Sequence, residues 1–104
     1  MIRHIVFFHF HDGATKDEVD AIDRSLADLQ GIIPGIIEFC SGENMSALGL
    51  NMKFTYGFTM DFESVQARDD YEQHPEHQAV VQKKITPLLA DGLNSTLVFD
   101  FEND

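Results

Sequence analysis

Hydrophobic residues recur along this chain with two alternating periods, and the order of those periods restricts the fold more than any single motif does. In residues 53–62, Phe54, Tyr56, Phe58, Met60 and Phe62 take every second position, with Thr55, Gly57, Thr59 and Asp61 between them. That pattern is a strand with one face far more apolar than the other. Residues 2–11, Ile-Arg-His-Ile-Val-Phe-Phe-His-Phe-His, are rich in β-branched and aromatic types and stop at Asp12-Gly13, so a first strand ends in a turn. Val19, Ile22, Leu26 and Leu29 instead fall at helical intervals behind Thr15 and Glu18, whose spacing is that of a capping box, and Gly31 closes the segment. Pro34-Gly35 restarts the chain into a strand over residues 36–41, and the stretch from Gly42 to Asn51, with its Gly, Asn and Ser, reads as a loop.

Ser64 can cap a helix running to about Gln73, where His74-Pro75 interrupts it. Pro75 suits the first turn of a further helix carrying Val80, Val81, Ile85 and Leu88. Residues 95–101 make a last strand after Gly92. The order β-α-β-β-α-β predicts an α+β, ferredoxin-like fold: one domain over residues 1–104, with a four-stranded antiparallel sheet and helices on one face. Ile5 and Phe7, Ile36 and Cys40, and Phe99 and Phe101 have the parity opposite to His4, Val6 and Val98, so the sheet's second face is expected to be apolar too. Such a face needs cover, which predicts a homodimer with two sheets facing each other as a dimeric α/β barrel.

Eighteen acidic residues against seven basic ones leave a net charge of −11, which repels phosphate backbones and anionic membranes, so neither nucleic acid nor membrane is an expected partner. Asp17, Glu18, Asp20, Asp23 and Asp28 read as the solvated face of one helix, and Asp69, Asp70, Glu72 and Glu76 as that of another. The single cysteine, Cys40, permits no intrachain disulfide and reads as a small buried hydrophobe. The N-terminus enters a strand without the features of a signal peptide, and a cytoplasmic protein is expected.

Chemistry concentrates at Tyr71 and His77, six residues apart across the proline break. A phenol and an imidazole can share acid and base work near neutral pH. The plainer alternative is that Tyr71 packs on the sheet and His77 satisfies a helix-end carbonyl. His4 is either a pocket residue or a satisfied core histidine. His74 beside Pro75 reads as a cap. His9 and His11 share a strand face but lack a third ligand at convincing spacing, so no metal is expected. No phosphate loop, nucleophile elbow or dinucleotide fingerprint is present.

The opening Ile2-Arg3-His4-Ile5-Val6, the Ile33-Pro34-Gly35 turn, Asp61-Phe62-Glu63-Ser64, Tyr71 with His74-Pro75-Glu76-His77, and Leu97-Val98-Phe99-Asp100-Phe101 together resemble the stress-responsive dimeric α/β-barrel (Dabb) family across nearly the whole chain. The resemblance implies the dimeric barrel. The family holds members of different roles, among them heat-stable stress proteins and a plant polyketide cyclase that closes and aromatises its substrate without a cofactor. Tyr71 and His77 match that enzyme's catalytic tyrosine and histidine, which implies His77 as general base, Tyr71 as donor to a developing enolate, and Asp100 as the group orienting the imidazole. His4 matches a pocket histidine, and Val6, Phe8, Ile22, Leu26, Phe39, Tyr56 and Phe58 would frame an apolar site between sheet and helices. Tyr56 stands where the cyclase has a further histidine, and Leu26 where it has an aromatic residue, so the substrate need not be the same. Three readings follow: a protein binding a small aromatic or polyketide-like molecule with cofactor-free Tyr/His chemistry, a non-catalytic stress-related structural dimer, or a cofactor-free monooxygenase.

Overall fold

The structure, a computed structural model, describes all of Met1–Asp104. Strand β1 (Ile2–Phe8) is followed by helix α1 (Lys16–Asp28), strands β2 (Ile36–Glu43) and β3 (Tyr56–Phe62), helices α2 (Val65–Gln73) and α3 (Pro75–Val80), and strand β4 (Thr96–Glu102). The sheet order is β2-β3-β1-β4 and every neighbouring pair is antiparallel. This is the ferredoxin-like arrangement, with the helices on one face. No helix is long and apolar enough to cross a membrane.

Local chemistry starts and stops the elements. The Thr15 hydroxyl accepts from the Glu18 N–H while the Glu18 carboxylate accepts from the Thr15 N–H at 3.0 Å, a complete capping box. Ser64 caps α2 through the Ala67 N–H. His74 is extended (φ −67°, ψ 132°), as a residue before proline must be, and its Nδ1 caps α3 by accepting from the Glu76 N–H. Beyond α3 the chain widens into a π turn (Val81–Ile85) and then tightens into a 3₁₀ turn (Thr86–Leu88). The break at His74-Pro75 is as expected, and the further helix expected to carry Val80 to Leu88 is itself segmented.

Ile2, Val6 and Phe8 of β1 and Tyr56, Phe58, Met60 and Phe62 of β3 meet Ile22 and Leu26 of α1, with Tyr71, Ile85 and Leu88, in one buried core. The other sheet face stays open. Register opposes Ile5 to Phe99 and Phe7 to Leu97, and Phe7, Leu97, Phe99 and Phe101 are 38–61% exposed. Two expectations for that face are corrected. A bulge between Ile36 and Glu38 shifts the register so that Ile36 opposes Phe62 and is buried in the helix-side core. Cys40, two residues beyond Glu38 and on the open side, is exposed rather than the small buried hydrophobe expected. Residues 53–55 also precede the β3 ladder, so that strand is shorter than its hydrophobic alternation.

The turn into β2 depends on Gly35, which has φ +93° and holds the Glu63 N–H through its carbonyl at 2.9 Å. A Cβ there would sit 2.6 Å from the Ala67 Cβ. Gly35→Ala meets both a left-handed backbone and a fixed neighbour on α2. A loss of at least about 1 kcal/mol is expected in urea unfolding, whereas Gly31→Ala, with open space around it, is expected to have little effect.

Candidate functional site

In a continuous helix two residues six positions apart are separated by about 240° of rotation and about 9 Å of rise. The break at His74-Pro75 abolishes that separation. The Tyr71 ring, at the end of α2, lies with its centroid 4.1 Å from that of His77 on α3, at an interplanar angle of 32°. The Phe62 ring centroid lies 5.0 Å from that of Tyr71, and His4 meets Tyr71 edge-on with centroids 6.0 Å apart. Tyr71 is 1% exposed and His4 5%.

These surroundings set opposite protonation states for the pair. Burial, aided by the Glu72 charge, pushes the Tyr71 hydroxyl well above the usual tyrosine range, so it keeps its proton. Burial pulls His77 below the ordinary imidazole value, with His4 and His74 acting in the same direction and a backbone hydrogen bond to Glu72 opposing them. The Glu72 carbonyl lies 3.3 Å from His77 Nδ1. A carbonyl only accepts, so Nδ1 carries the proton and Nε2 keeps a free lone pair. At pH 7 the pair is a neutral base beside a protonated donor.

The lowered His77 value has a stability consequence. The unfolded chain, with an ordinary histidine pKa near 6.5, binds a proton that the fold refuses. The contribution is full above about 6.5 and is lost as pH falls through the depressed folded-state value. Urea midpoints measured across this window are expected to fall more steeply for the wild type than for His77→Gln.

Asp100 stands elsewhere than the resemblance implied. It lies directly across from His4 in the β1–β4 register and takes the His4 Nδ1 at 2.7 Å, not His77. Its second oxygen accepts from Arg68 at 3.1 Å. The sequence reading missed Arg68, whose place on α2 over β4 becomes visible only once strand register is known.

The remaining residues divide between two ends of one apolar layer. Phe58 is the bridge, 6.1 Å from His4, 6.0 Å from Phe8 and 5.6 Å from Phe39 by ring centroids. Val6, Ile22 and Leu26 belong to the same buried cluster. At the far end Tyr56 stacks on Phe8 and sends its hydroxyl to Asp23 at 2.5 Å, where Ser41 donates as well. Tyr56 is thus turned away from Tyr71, and its hydroxyl, chiefly through burial, titrates far above the usual range. Asp23, expected on a solvated helix face, is instead tied to β2 and β3. His11 accepts from the Gly13 N–H in the turn after β1.

A largely apolar cleft of about 680 Å³ lies on the open sheet face, lined by Ile5, Phe7, Leu50, Met52, Phe54 and Leu97 among others. His4, Tyr71 and His77 line none of the three principal clefts.

With this geometry in place the comparisons become informative. The sequence profile of the stress-responsive A/B barrel domain (Dabb) family matches residues 2–103. The chain belongs to that family. Among Dabb relatives, the stress-response A/B barrel domain-containing protein HS1 of Arabidopsis thaliana is 25% identical over 97% of this chain and 88% of its own length. Olivetolic acid cyclase of Cannabis sativa is 25% identical over 73% of this chain and 75% of its own. A dimeric ferredoxin-like protein of unknown function from Jannaschia sp. superposes with a TM-score of 0.87 at 26% identity, covering 98% of both chains. The Dabb fold is thus shared with proteins described as dimeric.

Proposed function

We propose that this Dabb protein, as a homodimer, binds a small apolar or aromatic carbonyl compound between sheet and helices and acts on it by cofactor-free acid–base chemistry. The observation that carries the reading is the Tyr71–His77 pair, a neutral base and a protonated donor on rings whose centroids lie 4.1 Å apart with their planes tilted by 32°. The likeness to olivetolic acid cyclase supports it. His77 Nε2 takes the proton next to a carbonyl, and the electron pair of that C–H bond forms an enolate whose oxygen accepts from the Tyr71 O–H. The enolate carbon then attacks a second carbonyl of the same molecule, and the His77 imidazolium returns its proton to the new alkoxide. The second copy covers the open face at Ile5, Phe7, Leu97, Phe99 and Phe101.

One observation favours a second reading. Tyr71 is only 1% exposed and the main clefts lie elsewhere, as a structural dimer without chemistry requires. Exchange of ketone α-protons for deuterium, followed by proton NMR on aryl methyl ketones, separates the two. Exchange above the buffer rate supports the acid–base site, and buffer-rate exchange with every ketone leaves the structural dimer.

A further inference from the structure

Three side chains from three elements form one hydrogen-bonded line behind the Tyr71–His77 pair. Arg68 on α2 donates to Asp100 on β4 at 3.1 Å, and Asp100 meets His4 Nδ1 on β1 at 2.7 Å. Arg68 is held in turn by Asp69 at 2.9 Å and approaches Glu72 at 3.9 Å. The line ends inside the core: the His4 side chain is 6% exposed and Asp100 19%, and the His4 ring lies among Phe58, Phe62 and Tyr71. A core that needed only packing would place an apolar residue at position 4, because a buried imidazole must be satisfied or reach something polar.

We propose that Arg68 and Asp100 are positioning residues that hold His4 as the Nδ1–H tautomer, leaving its Nε2 lone pair beside Tyr71 as a second proton acceptor for the bound molecule. A carboxylate only accepts, so the proton of this hydrogen bond sits on Nδ1. Nε2 makes no hydrogen bond to the protein, yet no polar side-chain atom is both sealed and unpartnered, so the small exposure of His4 reaches that nitrogen. His4 and His77 thus each keep an Nε2 without a protein partner, on rings whose centroids lie 6.0 and 4.1 Å from that of Tyr71. His77 serves the C–H proton, whereas His4 serves an O–H: it takes the proton of an enol or phenol of the bound molecule, becomes an imidazolium facing the Asp100 carboxylate, and returns the proton when the product forms. Arg68 keeps Asp100 turned toward His4. This role rests on the acid–base reading of Tyr71 and His77, but the tautomer does not.

The test is long-range proton–nitrogen NMR of the full chain labelled with ¹⁵N-histidine, beside the deuterium-exchange assay. In the wild type His4 is expected as the Nδ1–H form. Asp100→Asn, which can donate as well as accept, is expected to shift it to the Nε2–H form and to lower α-proton exchange of a hydroxyaryl methyl ketone by on the order of 10²-fold, while an aryl methyl ketone without the hydroxyl, which needs only His77, exchanges as in the wild type. Arg68→Gln, a change at a partly exposed side chain that spares the core, is expected to give a mixture of tautomers and a smaller loss. An Nε2–H form in the wild type, or an unchanged tautomer in both variants, overturns the relay. If the wild type exchanges no α-protons while the tautomer behaves as described, the acid–base reading fails and the relay stands as a structural arrangement only.

Discussion

His77→Ala is expected to lower deuterium exchange of a bound ketone by about 10²- to 10⁴-fold at pH 7, the usual contribution of a positioned general base. Tyr71→Phe is expected to cost about 10²- to 10³-fold, because it removes the donor proposed for the developing oxyanion. The two losses differ in their pH dependence. His77 titrates below the ordinary histidine value because of its burial, so wild-type exchange holds its rate below pH 6.5 and falls only when the lowered value is crossed, and the residual rate of His77→Ala lacks that step. Tyr71→Phe is also expected to leave stability nearly unchanged, since the hydroxyl has no partner in the protein and the ring contacts with Phe62 and His77 persist. A large rate loss with intact folding therefore separates chemistry from packing. Equal exchange in all three proteins would remove both residues from any catalytic role.

The largest stability effect is expected at Phe62→Ala, a loss of about 3–5 kcal/mol in urea unfolding. Phe62 is fully buried, opposes Ile2 and Ile36 on its two neighbouring strands, and touches both His4 and Tyr71. The same substitution removes the wall against which Tyr71 stacks, so ligand binding is expected to weaken as well. By comparison Phe99→Ala, on a ring 61% exposed in the single chain, is expected to alter dimerisation before it alters the fold. A loss below about 1 kcal/mol for Phe62→Ala would contradict the packing described here.

The fold was legible because its signals are local. Alternation in β3, the Thr15–Glu18 box and the proline after His74 each act within a few residues, and the structure contains all three. The bulge at Ile36–Glu38 was not legible, since one extra residue reverses strand parity without leaving a mark in composition, and this misplaced Ile36, whereas Cys40 lies on the open face its parity implied. The closeness of Tyr71 and His77 could be anticipated from the proline between them. The partner of Asp100 could not: a carboxylate on β4 meets His4 or His77 depending on register and helix placement, and both are products of long-range packing. The Asp23–Tyr56 bond was missed for the same reason, because an acidic helix face carries no sign of which carboxylate faces the sheet.

The central claim is that a small apolar molecule reaches the layer between sheet and helices at Tyr71 and His77. The most direct test is a backbone and side-chain NMR titration of the labelled protein with an uncharged alkyl-substituted resorcinol, chosen neutral because a net charge of −11 disfavours carboxylate ligands. The account predicts saturable shifts concentrated at His4, Leu26, Phe62, Tyr71 and His77, with intermolecular contacts to the Tyr71 ring. Saturable shifts confined to Phe7, Phe54 and Leu97 on the opposite face of the sheet, or no saturable shifts at all, would contradict it.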